Sequence, residues 1–305
     1  MTTAFYTHDD CLEHVTPRGH PEQVARLQAV VRALEGFALD RRAAPLGTDG
    51  QILLCHPATY LQRIITAEPE QGFVALDEDT FMSAGSVQAA RRAVGAACAA
   101  VDAVLAGEVR NAFVACRPPG HHAEPDRQMG FCLFGNVAIA AKHALANGLR
   151  RVAIVDFDVH HGNGTQALLW NEPGVLFFSS HQSPLWPGTG TEAERGAHDQ
   201  IVNLPLPPNS GGAEMRRVYQ ARVFPMIEAF RPELILISAG FDAHRADPLA
   251  QLNWDAADFA WLTRELLALA ERHCDGRVVS VLEGGYDLDA LGRSVAAHVT
   301  ELMRA

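Results

Sequence analysis

Short apolar segments rich in β-branched residues recur along the chain at 112–116, 152–156, 175–179, 234–238 and 278–282, with a weaker one at 201–204. The strongest are continuous apolar runs rather than alternating ones, the pattern of strands buried on both faces of a parallel sheet. Helical periods lie between them. The Ala-rich stretch 86–105 ends near Gly107, a C-cap, and 136–146 ends at Asn147-Gly148. A third, 215–230, stops before Pro232, and a fourth, 256–273, starts after Asp255, an N-cap. Strand–helix alternation predicts a doubly wound α/β sheet. The first 80 residues are less regular, with helices expected over 22–34 and 55–65. No long linker, low-complexity tract or repeat divides the chain, so residues 1–305 are expected to form one domain.

Composition narrows the function. With 48% hydrophobic and 20% charged residues among 305, the chain is neither disordered, collagen-like nor coiled-coil. No apolar run reaches the ~18–20 residues that span a bilayer, and residues 1–10 do not read as a secretory signal. No membrane role is expected. The net charge of −11, with no basic stripe, argues against direct nucleic-acid binding. Six scattered cysteines without a Cys-x-x-Cys pair read as reduced thiols of a cytoplasmic protein.

In open α/β sheets, sites form beyond the carboxyl ends of the strands. The residues just after each apolar run are therefore the first candidates. After 112–116 comes Arg117-Pro118-Pro119-Gly120-His121-His122, and after 152–155 comes Asp156-Phe157-Asp158-Val159-His160-His161-Gly162-Asn163-Gly164. Ser179, Ser180 and His181 end the third. Ser238-Ala239-Gly240-Phe241-Asp242 closes the fourth, and Glu283-Gly284-Gly285-Tyr286 the fifth. Five strand ends carry metal-capable or proton-transfer groups.

An extended Asp156–His160 run would put Asp156, Asp158 and His160 on one side. Asp242 would supply a further ligand, and three protein ligands with open positions describe a catalytic metal site. Taken alone, an Asp-x-Asp-x-His run is equally a solvated strand end. The other four strand ends favour the metal reading. Beside a metal, His121 and His122 become candidate acid/base groups, with Asp156 and the neutral Asn163 as candidate partners. The Gly284-Gly285-Tyr286 turn is expected to be flexible and to offer a phenol to a developing oxyanion. Gly162-Asn163-Gly164-Thr165-Gln166-Ala167 imitates a dinucleotide fingerprint, but the charged stretch 158–161 separates it from its strand.

Together these motifs resemble the zinc-dependent histone deacetylase family, most closely its class II and bacterial histone deacetylase-like amidohydrolase branch. The resemblance runs from His20-Pro21-Glu22 to Gly284-Gly285-Tyr286. It includes Gly130-Phe131-Cys132, Pro187-Gly188-Thr189-Gly190 and Ala239-Gly240-Phe241-Asp242-Ala243-His244. It implies the arginase/deacetylase α/β fold, a single domain with a central, mostly parallel sheet of about eight strands flanked by helices. It implies Asp158, His160 and Asp242 as zinc ligands, with Fe(2+) or Co(2+) as substitutes. His122 would be general base then acid, His121 with Asp156 its electrostatic support, Asn163 the partner of His122, and Tyr286 the oxyanion donor. A structural potassium is implied near Asp156, Asp158, His160, Ser179 and Ser180. Phe131, Trp186 and Gly130 would line the acyl-lysine tunnel, with Leu249 near its mouth and Asp79 at its rim. Arg26 would line an acetate channel.

Departures from the family pattern are Trp186 for phenylalanine, Gly135 for asparagine and Val24 for proline. Gly162 and His244 stand where a two-manganese ureohydrolase would need aspartates, which favours a single metal. The neutral Leu249 favours acyl-lysine in proteins or peptides over acetylpolyamines or other small acyl-amines, the alternative substrates. A binding protein that does not hydrolyse acyl-lysine is the remaining reading. The sequence leaves the oligomeric state open.

Overall fold

The computed structural model describes residues 2–305. Its strands in chain order are β1 (Thr3–Thr7), β2 (Asp40–Ala43), β3 (Phe73–Ala75), β4 (Phe81–Ser83), β5 (Asn111–Val114), β6 (Val152–Asp156), β7 (Val175–Gln182), β8 (Ile201–Leu206), β9 (Leu234–Ala239) and β10 (Val278–Leu282). β3 and β4 form a separate antiparallel pair. The other eight make one sheet in the order β2-β1-β5-β10-β9-β6-β7-β8, and every pairing in it is parallel.

β5, β6, β7, β9 and β10 are buried along their whole length, which is why they read as continuous apolar runs. Helices flank the sheet. Ser86–Leu105 packs on Asn136–Ala146, while Val24–Ala33 and Ala256–Cys274 both pack on Leu288–Arg304. Asp255 caps its helix through Ala257 N–H, as the sequence suggested.

The helix expected over 215–230 starts earlier and is broken. Gly212–Val218 and Phe224–Phe230 are α-helical, and Tyr219–Val223 between them is a π turn. Pro225 opens the last piece; it has no N–H and its ring crowds the preceding turn, so the wider turn relieves it. The helix expected over 55–65 runs from Ala58 to Ala67 because Pro57 sets its start. No described helix is long and apolar enough to cross a membrane.

Parallel pairing brings all eight carboxyl ends to one edge of the sheet. Asp156 at the end of β6 lies in register with Ser179 of β7 on one side and Ser238 of β9 on the other. The motif-bearing loops therefore leave the sheet side by side.

Candidate active site

β6 stops at Asp156, so the extended run expected through His160 is not formed. Side-chain carboxylates capture the backbone instead. Asp156 Oδ1 accepts Asp158 N–H at 3.1 Å, and Asp158 Oδ1 accepts His160 N–H at 2.9 Å. Such local bonds compete with strand continuation. The turn separates Asp156 from the other two. Asp158 and His160 face Asp242, which leaves β9 and accepts Val159 N–H at 2.9 Å. His160 Nδ1 lies 3.1 Å from Asp158 Oδ1 and 3.2 Å from Asp242 Oδ2. One ligand atom from each of the three falls within 4.8 Å of the others, and all three residues are buried.

The electrostatics of this cluster suit a cation. Burial, then the neighbouring Asp158 carboxylate, pushes Asp242 up to about 7. Burial alone would lower His160, but its contacts with Asp158 and Asp242 push it up to about 10. Two buried carboxylates thus demand positive charge between them, which a proton on the imidazole or a metal ion can supply. Two oxygens and one imidazole nitrogen match a divalent zinc-type site with open positions.

The histidine pair splits electrically. His121 Nδ1 lies 2.9 Å from Asp156 Oδ2, and its Nε2 lies 3.7 Å from Asp158. Burial opposes a charge on His121, but Asp158 and Asp156 outweigh it and raise its pKa well above the usual value. Burial, then His121 and His160, holds His122 well below its usual value. These surroundings oppose a charge on His122. Its Nδ1 lies 2.8 Å from Asn163 Oδ1. An amide oxygen only accepts, so Nδ1 carries the proton and Nε2 is the free base.

The turn expected to be flexible around Tyr286 is clamped. Asp158 Oδ2 accepts Gly284 N–H at 2.8 Å, and Asp247 Oδ2 accepts Tyr286 N–H at 2.7 Å. A Cβ on Gly284 would meet Asp242 Oδ2 at 2.2 Å, so the glycine is needed for close approach. Asp247 also accepts Leu249 N–H at 3.0 Å, tying the two loops together. Sequence reading used Asp247 only to locate Leu249; its place in an Asp-Pro turn was the signal available.

Asp79, His122, Gly130, Phe131, His160, Leu185, Trp186, Leu249 and Tyr286 line one cavity of about 210 Å³. Leu185 was missed, although it directly precedes Trp186. The Trp186 ring stands edge-on to His122, centroids 4.7 Å apart. Asp79 Oδ1 accepts Gly130 N–H at 3.2 Å, which holds this carboxylate beside Gly130 in the cavity lining. Arg26 is fully buried behind Tyr286, its guanidinium 4.8 Å from the ring centroid, and bonds to Glu22 and to the Gly285 and Glu283 carbonyls. Ser179 Oγ accepts Gly162 N–H, and Ser180 Oγ bonds Tyr219 Oη at 2.7 Å.

Two of the three departures have local explanations; nothing in the structure explains Trp186. A Cβ on Gly135 would stand 2.3 Å from Leu168 Cδ1, so the asparagine is excluded as long as that leucine keeps its place. Val24 is the first residue of its helix, a position where proline and other residues are both tolerated. A Cβ on Gly162 would meet Asp156 Oδ2 at 2.3 Å, and His244 Nδ1 accepts Ala246 N–H. Neither position offers a second metal its carboxylate.

Comparison with known proteins places the chain in a family. The family model described as "Histone deacetylase domain" matches residues 20–302. A "Histone deacetylase-like amidohydrolase" of Pseudomonas aeruginosa is 43% identical over 272 residues, 87% of this chain and 71% of that protein. A "Probable deacetylase" of Archaeoglobus fulgidus is 40% identical over 298 residues, 95% of this chain and 82% of that one. The crystal structure of the HDA15 HD domain superposes with a TM-score of 0.94 at 33% identity, covering 99% of this chain and 88% of the other.

Proposed function

Since the chain belongs to the histone deacetylase family, we propose that it is a zinc-dependent amidohydrolase that removes acetyl or related acyl groups from lysine side chains of proteins or peptides. The observation that carries this reading is a buried Asp158–His160–Asp242 cluster whose His160 lines the same cavity as His122 and Tyr286.

The apolar walls Phe131, Leu185, Trp186 and Leu249 suit the methylene stem of an acyl-lysine. Asp79 at the rim is suited to accept a backbone N–H of the substrate. A divalent ion held by Asp158, His160 and Asp242 would polarise the acyl carbonyl and acidify a water. His122 Nε2 takes a proton as the water attacks the carbonyl carbon. His121, kept cationic by Asp156 and Asp158, adds positive charge to the site. The Tyr286 hydroxyl donates to the carbonyl oxygen as negative charge grows there. His122 then returns its proton to the leaving amine, giving acetate and free lysine. Asn163 keeps the His122 tautomer fixed throughout. Arg26, behind Tyr286, would meet departing acetate.

The same donor set admits Fe(2+) or Co(2+). A structural potassium near Asp156, Asp158, His160, Ser179 and Ser180 belongs to the same proposal. Acetylpolyamines are the second substrate reading. Leu249 at the mouth weighs against it, because a cationic chain would favour an acid there. The test compares an acetyl-lysine peptide with acetylputrescine and acetylspermidine on the metal-reconstituted enzyme. Preference for the peptide is expected. Preference for the polyamines would keep the chemistry and overturn the substrate.

A further inference from the structure

The amide of Asn163 is itself held by a carboxylate outside the metal cluster. Its Nδ2 lies 2.9 Å from Glu124 Oε1. The other groups around Nδ2 are also acceptors, but weak or distant: Met129 Sδ at 3.3 Å and the His122 carbonyl at 3.5 Å. An ionised carboxylate accepts and cannot donate, so it fixes which end of the amide faces it. Oδ1 is thereby turned to His122. The turn that carries Glu124 is fixed in its own right. Glu124 N–H bonds the Arg127 carbonyl at 2.8 Å, and the Pro125 carbonyl lies 3.0 Å from His56 Nδ1.

We infer that Glu124 is a positioning residue that orients the Asn163 amide and through it fixes the proton of His122 on Nδ1. Without it, the amide can rotate and present Nδ2 to His122. That would require an unprotonated Nδ1 and move the proton to Nε2, where it blocks base action. The inference rests on the reading of His122 as the base, and the two are separable by experiment.

Glu124→Ala is expected to lower kcat about 10- to 100-fold, with KM changed less than about 2-fold. Glu124→Gln keeps an acceptor oxygen at the same reach and should stay within about 3-fold of the parent. Asn163→Asp would set two carboxylates in contact and lose activity. Adding Glu124→Gln to it restores a donor–acceptor pair and should recover at least about 10-fold. The direct readout is the 15N spectrum of histidine-labelled, zinc-loaded protein. His122 should be protonated on Nδ1 in the parent and in Glu124→Gln, and mixed in Glu124→Ala.

A His122 tautomer unchanged in Glu124→Ala overturns the inference, whatever the activity. So does a double variant no better than Asn163→Asp, or an Asn163→Asp enzyme as active as the parent. A shifted tautomer with undiminished kcat supports the relay and removes His122 from proton transfer.

Discussion

The Asp158 carboxylate accepts the backbone N–H of Gly284 at 2.8 Å, across 126 positions of sequence. One side chain after β6 thus meets His160 Nδ1 with one oxygen and anchors the loop of Tyr286 with the other. Asp242 is not hydrogen-bonded to that loop in the same way; its Oδ1 holds Val159 N–H.

This asymmetry separates two variants. Asp158→Ala and Asp242→Ala should each lower zinc affinity by about 100-fold or more, since a three-ligand site loses one ligand. In the metal-free proteins, only Asp158→Ala should speed amide exchange at 284–286. Equal exchange in both variants would remove Asp158 as the anchor.

Tyr286→Phe should retain zinc and lose roughly 10²–10³-fold in kcat, the usual effect of removing one oxyanion donor. Metal content by elemental analysis and steady-state kinetics on one preparation check this. Unchanged kcat would exclude the phenol from the reaction.

Gly130 adopts φ +55°, and a Cβ there would meet His122 Cδ2 at 2.4 Å and the Trp186 ring at 2.6 Å. Gly130→Ala is therefore expected to displace both rings and to cut kcat/KM by about 10-fold or more. A variant with parental kcat/KM would show that the tunnel wall yields freely.

Glu22 links the amino-terminal region to the site through two buried arginines. It pairs with Arg117 Nε at 2.5 Å and with Arg26 Nη1 at 2.9 Å. Burial alone would raise its pKa, but Arg117 and Arg26 bring it down to about 2. The unfolded chain, with a carboxyl near 4.5, therefore binds more protons between about pH 4.5 and pH 2. The contribution of Glu22, about 3 kcal/mol, is complete above that window and is lost as pH falls through it. Glu22→Gln should flatten this acid limb in urea titrations. At pH 7 it should cost about 3–5 kcal/mol, because two buried guanidiniums lose their counter-charge. Unchanged stability at pH 7 would contradict the assignment.

The parts of the fold legible in the sequence are those whose burial is symmetric. β6, β9 and β10 are sealed on both faces, and their apolar runs mark them directly. β2 is the sequence Asp-Arg-Arg-Ala at the sheet edge, half-exposed, where charge blunts further pairing. No apolar pattern could announce it. β1 is short, with threonine at both ends, and its burial comes from neighbours distant in sequence. The helix Asn163–Leu169 begins within the Gly-Asn-Gly stretch that imitates a nucleotide loop, so its glycines hid it. The site residues were legible as residue types after strands. Their geometry was not, because carboxylate-to-backbone bonds turn the chain at Asp158 where alternation implied extension. Glu124 carries no pattern of its own, since it acts through the Asn163 amide, and Asp247 offered only its place before Pro248.

The most direct test measures acetate and free lysine released from an acetyl-lysine peptide by chelated, zinc-reloaded and Asp242→Ala enzyme. Stoichiometric release is expected, abolished by the chelator, restored by zinc, and not recovered in Asp242→Ala. Equal turnover by the chelated enzyme, or none by fully zinc-loaded enzyme on any acyl amide, would contradict a metal-dependent deacetylase.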